Sequence, residues 1–302
     1  MKKDIITIGE LDKKELIELV HLGKEIKENP EKYRTSLSEK TLLLLFQKTS
    51  TRTRLSFELG MKLLGGNVIV LDWEKSNFSI SPLEYETKYV SRVVDCIMAR
   101  LLTNEKILEL AAHSEVPVIN GCCNMFHPSQ ILGDLLTIYE IKGNFDVTIT
   151  YVGVQNNVAN SMFLACKALG INLIFVTPEI DSVPEGLEKE MEEYSGFTRT
   201  LNLNSALEKT DFLYTDTWIN MEYFGKAEYA SYIKSRIDLM LPYQITEEMI
   251  RGRDLYFMHD MPVHPGYEVD EWVLKNEKSV VYQQAENRLY SAQSLLYYLL
   301  KL

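Results

Sequence analysis

Thr41-Leu-Leu-Leu-Leu-Phe46, Gln47-Lys-Thr-Ser-Thr-Arg-Thr-Arg54, Leu55-Ser-Phe-Glu-Leu-Gly-Met-Lys-Leu-Leu64, Gly65-Gly66 and Asn67-Val-Ile-Val-Leu71 form one continuous stretch, and its reading decides the architecture. Thr41 to Phe46 is a short continuous apolar run, the form of a strand buried on both faces. Leu55 to Leu64 has helical spacing, the glycine pair closes it, and Asn67 to Leu71 opens a second strand. A strand, a turn, a helix and another strand in that order predict a unit of a parallel α/β sheet.

The same alternation extends in both directions. Upstream, Leu16, Ile17, Leu19, Val20 and Leu22 give Leu11 to Ile26 one apolar side, and Pro30 ends that helix. Downstream come a helix-to-strand passage from Tyr89 to Ala99 and a short apolar stretch from Val116 to Ile119. A long helical pattern, Ile131 to Ile141, stops at Gly143. The series then restarts: strand-like Val147 to Val152, helical Ala159 to Leu169, then strand-like Ile171 to Val176 after Gly170. Phe212 to Tyr214 and Leu255 to Met258 are further strands, and Ala285 to Leu302 is a terminal helix. The expected fold is α/β, with two doubly wound parallel-sheet domains joined by the long helix near residues 130–142. The expected domains are residues 1–143 and 144–302. A ligand belongs at the carboxyl ends of the strands, in the cleft between them.

Composition bounds the function. A chain of 302 residues has room for two cores, and 46% hydrophobic with 25% charged residues is ordinary for a soluble globular protein. A net charge of −11 argues against a nucleic-acid partner, which needs a concentrated cationic face. It leaves room for a phosphate at one pocket, where a few arginines outweigh a screened distant field. Cys96, Cys122, Cys123 and Cys166 match neither a metal knuckle nor a secreted disulfide framework, so free thiols in a reducing compartment are expected. Met1-Lys-Lys-Asp4 lacks the apolar core of a signal peptide, and no apolar run approaches the length of a membrane span. The expectation is a cytoplasmic protein with no membrane partner. No residue cluster has metal-ligand spacing, so neither metal nor cofactor is expected. The turn Val152-Gly-Val-Gln-Asn-Asn157 lacks the glycines a dinucleotide pyrophosphate requires, which counts against a nucleotide-dependent oxidoreductase.

The chemistry begins in the turn after the first strand. Ser50, Thr51 and Thr53 supply hydroxyls, the opening helix supplies free N–H groups, and Arg52 adds a planar bidentate donor. That is a phosphate cradle built without a glycine loop. Arg100 ends the apolar strand Cys96-Ile-Met-Ala99, where a sheet presents functional groups; taken alone it reads as an edge or surface arginine rather than a ligand contact. His127, before Pro128 at the start of the long helix, reads either as a cap or as a donor to a polarised carbonyl oxygen.

Ser50-Thr-Arg-Thr-Arg54, His127-Pro-Ser-Gln130, Asn156-Asn-Val-Ala-Asn-Ser161, Asp216-Thr-Trp218 and Ala285-Glu-Asn-Arg288 occur in the order seen in the ornithine branch of the aspartate/ornithine carbamoyltransferases. The chain resembles that family from about residue 5 onward. The resemblance implies transfer of a carbamoyl group from carbamoyl phosphate to the amine of a small acceptor, with a terminal helix that returns to the first domain. It implies phosphate contacts from Ser50, Thr51, Arg52 and Thr53, and carbamoyl contacts from Arg100, His127 and Gln130, with Arg288 a further donor. It also implies a trimer or a multiple of trimers. In that arrangement a polar residue of the 73–82 loop reaches a neighbouring site; Lys75, Ser76 and Ser79 are the candidates.

The acceptor half departs from the family pattern. Asn157 and Asp216 match, but the loop after Asp216 carries Asn220 for serine and Glu222 for glycine around Met221. The family's His-Cys-Leu-Pro reads His259-Asp260-Met261-Pro262 here. The resemblance puts Asp260 and Met261 beside the acceptor amine, where a carboxylate can accept a hydrogen bond from an ammonium or act as its base. Ornithine is the expected acceptor. Another diamine or amino acid, and a catalytically silent ligand-binding relative, are the alternatives; aspartate is disfavoured because added carboxylates repel it.

Overall fold

The computed structural model describes residues 2–220, 223 and 225–301. Along the chain run α1 (Lys13–Glu28), β1 (Thr41–Phe46), α2 (Thr51–Leu63), β2 (Asn67–Asp72), α3 (Leu83–Val90), β3 (Cys96–Arg100), α4 (Asn104–His113), β4 (Val118–Cys122) and α5 (Pro128–Lys142). There follow β5 (Thr148–Gln155), α6 (Asn157–Leu169), β6 (Asn172–Ile180), α7 (Leu187–Glu193), β7 (Phe197–Arg199), α8 (Leu203–Leu207) and β8 (Phe212–Thr215). The last elements are α9 (Ala230–Met240), α10 (Glu247–Ile250), β9 (Tyr256–His259), α11 (Glu271–Lys275) and α12 (Val281–Lys301).

Two parallel sheets result, one of four strands in the order β2-β1-β3-β4 and one of five in the order β7-β6-β5-β8-β9. The continuous leucines of β1 are explained by burial on both faces. Leu42 and Leu44 pack with Leu16, Phe57, Met61 and Leu295, while Leu43 and Leu45 pack with Trp73, Leu83 and Ile107 on the opposite side. The first of these cores continues without a break into Tyr151, Phe175 and Phe212 of the second sheet. Through α5 and α12, the two sheets thus share one apolar interior.

Several helices begin earlier than periodicity predicts, for a capping reason. The helix expected from Leu55 starts at Thr51, because the Ser50 hydroxyl accepts from the N–H of Thr53 at 3.3 Å. The helix expected from Ala159 starts at Asn157, because Asn156 Oδ1 accepts from the N–H groups of Val158 and Ala159. The long helix starts at Pro128 and closes at Gly143, whose φ of +73° suits glycine. The terminal helix starts at Val281, one turn before Ala285, and lies across α1, α2 and α5. Gly133 permits that approach: a Cβ there would sit 3.1–3.3 Å from Arg288. No helix among the described residues is long and apolar enough to cross a membrane.

Candidate active site

Each sheet has one point where the strand order reverses, between β1 and β3 in the first and between β5 and β8 in the second. Parallel sheets open a crevice at such points, at the carboxyl ends of the strands. Here both crevices face one cavity of about 620 Å³. Its first wall holds Ser50, Thr51, Arg52 and Thr53 after β1, Arg100 at the end of β3, Cys122 and Cys123 at the end of β4, His127 before α5, and Arg288 from α12. Its second wall holds Asn156 and Asn157 after β5, Asp181 and Ser182 after β6, Asp216, Thr217, Trp218 and Asn220 after β8, Lys226 before α9, and Asp260 and Met261 after β9.

The cationic wall is pinned by one threonine. Thr53, almost fully buried, accepts from Arg288 Nη2 at 2.9 Å and from Arg100 Nη1 at 3.4 Å. Residues far apart in sequence therefore converge on one point. The Nε atoms of Arg52 and Arg100 are buried and have no hydrogen-bond partner among the described residues. Burial lowers the proton affinity of Arg52, the charge of Asp260 opposes that shift, and Arg100 adds to it. Arg288 is pushed down to about 10, by burial first, with Asp260 resisting and Arg52 and Arg100 assisting. Three crowded guanidinium groups with unsatisfied donors form a site whose charge an anion relieves.

His127 is not a side-chain cap; its ring lies on the wall. Burial, and then the charges of Arg288, Arg100 and Arg52, hold it well below the usual imidazole range, so it is neutral at neutral pH. Ser129 Oγ lies 3.3 Å from both His127 Nδ1 and the carbonyl of Gly121. The serine proton is donated to that carbonyl, so the tautomer of the His127 ring sets the direction of its contact with Ser129. Gln130 does not line the cavity: it is fully buried behind His127, donates to Asp134 at 2.9 Å, and leaves Oε1 without a partner among the described residues.

The opposite wall is acidic. Asp216 Oδ2 accepts from Asn156 Nδ2 at 2.7 Å, and Oδ1 from the N–H of Thr217 at 2.6 Å. Burial, and then the neighbouring Asp260 carboxyl, push Asp216 well above the usual carboxylate range. Asp216 therefore tends to keep its proton when no cation lies beside it. Asn157 Nδ2 donates to the carbonyl of Cys123 at 2.6 Å and contacts Cys122 Sγ, so it ties the acidic wall to the cationic one. Met221 and Glu222, both singled out in the sequence, lie outside the described residues.

Asp216, His259 and Asp260 bring ligand atoms within 4.8 Å of one another, a cluster that spacing in the sequence does not reveal. Both ring nitrogens of His259 are committed, however. Nδ1 accepts from the N–H of Met261 at 2.8 Å, and Nε2 lies 3.2 Å from Glu268. Glu268 also accepts from the N–H of His264, so it clamps the loop on both sides of Asp260. Asn156, Asp181, Ser182, Thr217, Trp218 and Lys226 are residues of the second wall to which sequence reasoning gave no role. Asn156, Thr217 and Trp218 stood inside quoted motifs, whereas nothing local marks Asp181, Ser182 and Lys226.

A two-domain parallel α/β protein with guanidinium groups on one wall of its cleft and carboxylates on the other is built to hold an anion against a cationic second substrate. The chain matches the sequence profile of the aspartate/ornithine carbamoyltransferase carbamoyl-P binding domain over residues 3–140, and that of the Asp/Orn binding domain over residues 145–299. It is 36% identical to an ornithine carbamoyltransferase of Archaeoglobus fulgidus over 99% of this chain and 97% of that protein. It is 37% identical to one of Anoxybacillus flavithermus, over 99% of this chain and 96% of that protein. The structure of ornithine carbamoyltransferase from Pyrococcus furiosus superposes with a TM-score of 0.90 at 33% identity, covering 99% of this chain and 97% of that one. That from Thermus thermophilus gives 0.87 at 32%, covering all of both chains. The chain belongs to the aspartate/ornithine carbamoyltransferase family.

Proposed function

We propose that this protein transfers the carbamoyl group of carbamoyl phosphate to the primary amine of ornithine or a close analogue, releasing phosphate. The observation that carries the reading is the convergence of Arg52, Arg100 and Arg288 around Thr53, facing Asp216 and Asp260 across one cavity. Ser50, Thr51, Arg52 and the N–H groups opening α2 take the phosphate. Arg100, Arg288 and the N–H of neutral His127 face the carbamoyl oxygen, where negative charge grows as the amine adds. The new C–N bond forms, the C–O bond to phosphate breaks, and the leaving phosphate takes the electron pair and accepts the amine proton. Holding both substrates in one cleft supplies much of the remaining acceleration.

On the acceptor side, Asp216, Asp260, Asn157, Asn220 and Met261 receive the amino acid, with Met221 assigned by its place in the loop. Asp260 and Asp216 favour a substrate with two ammonium groups. Lys226 on the same wall gives a carboxylate a partner, which favours a diamino acid over a plain diamine. The test is phosphate release from carbamoyl phosphate across a panel of ornithine, longer and shorter diamino acids, simple diamines and aspartate. Ornithine or its nearest homologue is expected to give the highest kcat/KM. Tight carbamoyl phosphate binding with no turnover on any amine would instead make the chain a silent ligand binder.

The same reading extends to assembly and place. Two domains meeting near Gly143 are supported by the separate sheets. A homotrimer, or a multiple of trimers, formed through the first domain is supported by apolar side chains that domain leaves exposed: Leu55, Leu59 and Leu63 of α2, then Ile80, Tyr85, Tyr89 and Val93. A polar residue of the 73–82 loop then serves the neighbouring site. Ser76 and Ser79 hydroxyls both donate to main-chain carbonyls within that loop. Four buried free thiols support a cytoplasmic setting. Light scattering at three times the chain mass, or a multiple of that, is the expected result.

A further inference from the structure

Asp134 is buried in α5, outside the cavity, and three side chains end on it, one from the turn before it and two from distant parts of the chain. Its Oδ1 accepts from Gln130 Nε2 at 2.9 Å and from Gln284 Nε2 at 2.7 Å, while Oδ2 accepts from the hydroxyl of Tyr214 at 3.1 Å. An amide side chain carries a donor end and an acceptor end, and a buried partner decides which way it faces. With both donor ends turned to Asp134, both carbonyl ends face away. The oxygen of Gln284 accepts from the N–H of His259 at 2.8 Å, immediately before Asp260. The oxygen of Gln130 is buried and meets no donor among the described residues. Such an orphan acceptor is costly to bury, so a donor arriving with a ligand is favoured.

We propose that Asp134 is a positioning residue that orients two amides at once, fixing Gln130 to recognise the N–H of a carbamoyl group and Gln284 to hold the loop bearing Asp260. The proposal rests on the carbamoyl phosphate reading above. Gln130 follows His127 by three positions and so lies on the side of α5 that faces the first wall. The orientation survives titration. Burial, opposed by the hydrogen bonds of Gln284, Gln130 and Tyr214 and assisted by Asp260, raises Asp134 to about 7. Both amides occupy Oδ1, so an added proton goes to Oδ2, toward Tyr214. Arg288 is the cation that faces the carboxyl from α12, and Asp260 the anion that faces it from the end of β9.

The test compares carbamoyl phosphate with acetyl phosphate, which has a methyl group where the carbamoyl N–H donors stand. Dissociation constants for both are measured with wild type, Asp134→Leu, Asp134→Asn, Gln130→Ala and the double variant Asp134→Leu/Gln130→Ala. Asp134→Leu is expected to weaken carbamoyl phosphate by about tenfold or more while acetyl phosphate stays within about twofold. In the Gln130→Ala background the same change is expected to add nothing, since the two act as one unit. Asp134→Asn keeps an oxygen for both amides and restores most of the affinity. Equal weakening of both ligands by Asp134→Leu, or full additivity with Gln130→Ala, would overturn the proposal. Asp134→Ala supplies the same comparison if leucine prevents folding. Wild type that binds neither ligand would sink the carbamoyl phosphate reading and this inference with it; wild type that binds both isolates a failure to Asp134 alone.

Discussion

The two walls of the cleft solve opposite electrostatic problems. On the first, Arg52, Arg100 and Arg288 repel one another, and Thr53 holds two of them in place with a single oxygen. On the second, burial and the neighbouring Asp260 raise Asp216 until it holds its proton. A guanidinium keeps its charge under such crowding, so the first wall stays a fixed anion site. A carboxyl pair can shed its charge, so the second wall adapts to what lies beside it. Fixed charge suits the substrate whose bond is broken, and adjustable charge suits the one that must lose a proton.

The most damaging way to break this contrast is Arg288→Ala, which removes a fixed charge and the main contact of Thr53. A loss of roughly 100- to 1,000-fold in kcat/KM is expected, about 3–4 kcal/mol, as for single oxyanion donors elsewhere. Activity within threefold of wild type would take Arg288 out of the site.

The next test concerns the clamp on the second wall. Burial would raise Glu268, but hydrogen bonds from His259 and His264 and the charge of His259 lower it to about 2. A carboxyl with a lowered folded value stabilises fully above its unfolded value near 4.3, and that contribution drains away as pH falls toward 2. Glu268→Gln is therefore expected to cost on the order of 3 kcal/mol at pH 7, and the difference from wild type should vanish near pH 2. Denaturant melts across that range read it, and a pH-independent difference would dissociate the clamp from the charge of Glu268.

Asp260→Cys sharpens the comparison with the family pattern. A shift of about tenfold in kcat/KM toward ornithine over other diamines is expected, near 1.4 kcal/mol. An unchanged preference profile would remove Asp260 from specificity.

The smallest effects are in pH profiles. Neutral His127 should leave carbamoyl phosphate affinity without an inflection between about pH 6 and 8. Acceptor affinity should instead rise with pH, as the raised Asp216 gives up its proton and becomes a better partner for an ammonium. The reverse assignment of slopes would exchange the roles given to the two walls.

What could be read from the sequence divides along similar lines. β1 was legible to the residue because leucines on both faces leave no alternative, and Gly143 marked the end of α5 plainly. The start of α2 was not, since Thr51 to Arg54 carry no apolar period and only the Ser50 cap and the burial of Thr53 extend the helix there. Three-residue β7 and the polar α9 gave no sign of themselves. On the cationic wall the turn Ser50 to Arg54 was readable from local chemistry, being rich in hydroxyls and arginines, whereas Arg100 and Arg288 stood out only by family resemblance. On the acidic wall Asp181, Ser182 and Lys226 were not readable, because they sit in unremarkable loops. Asp134 looked like any helical acid, for two of its partners stand 80 and 150 positions away.

The return of α12 sets the order in which the enzyme becomes competent. Both sheets can pair their strands before Val281 is reached, yet Thr53 gains its closest cation only when Arg288 seats against Gly133. The last helix is thus the bolt of the lock. A proteolytic cut in the segment leading into Val281 that releases α12 should abolish anion capture and bare the part of the apolar interior that Ala292, Leu295 and Leu296 cover.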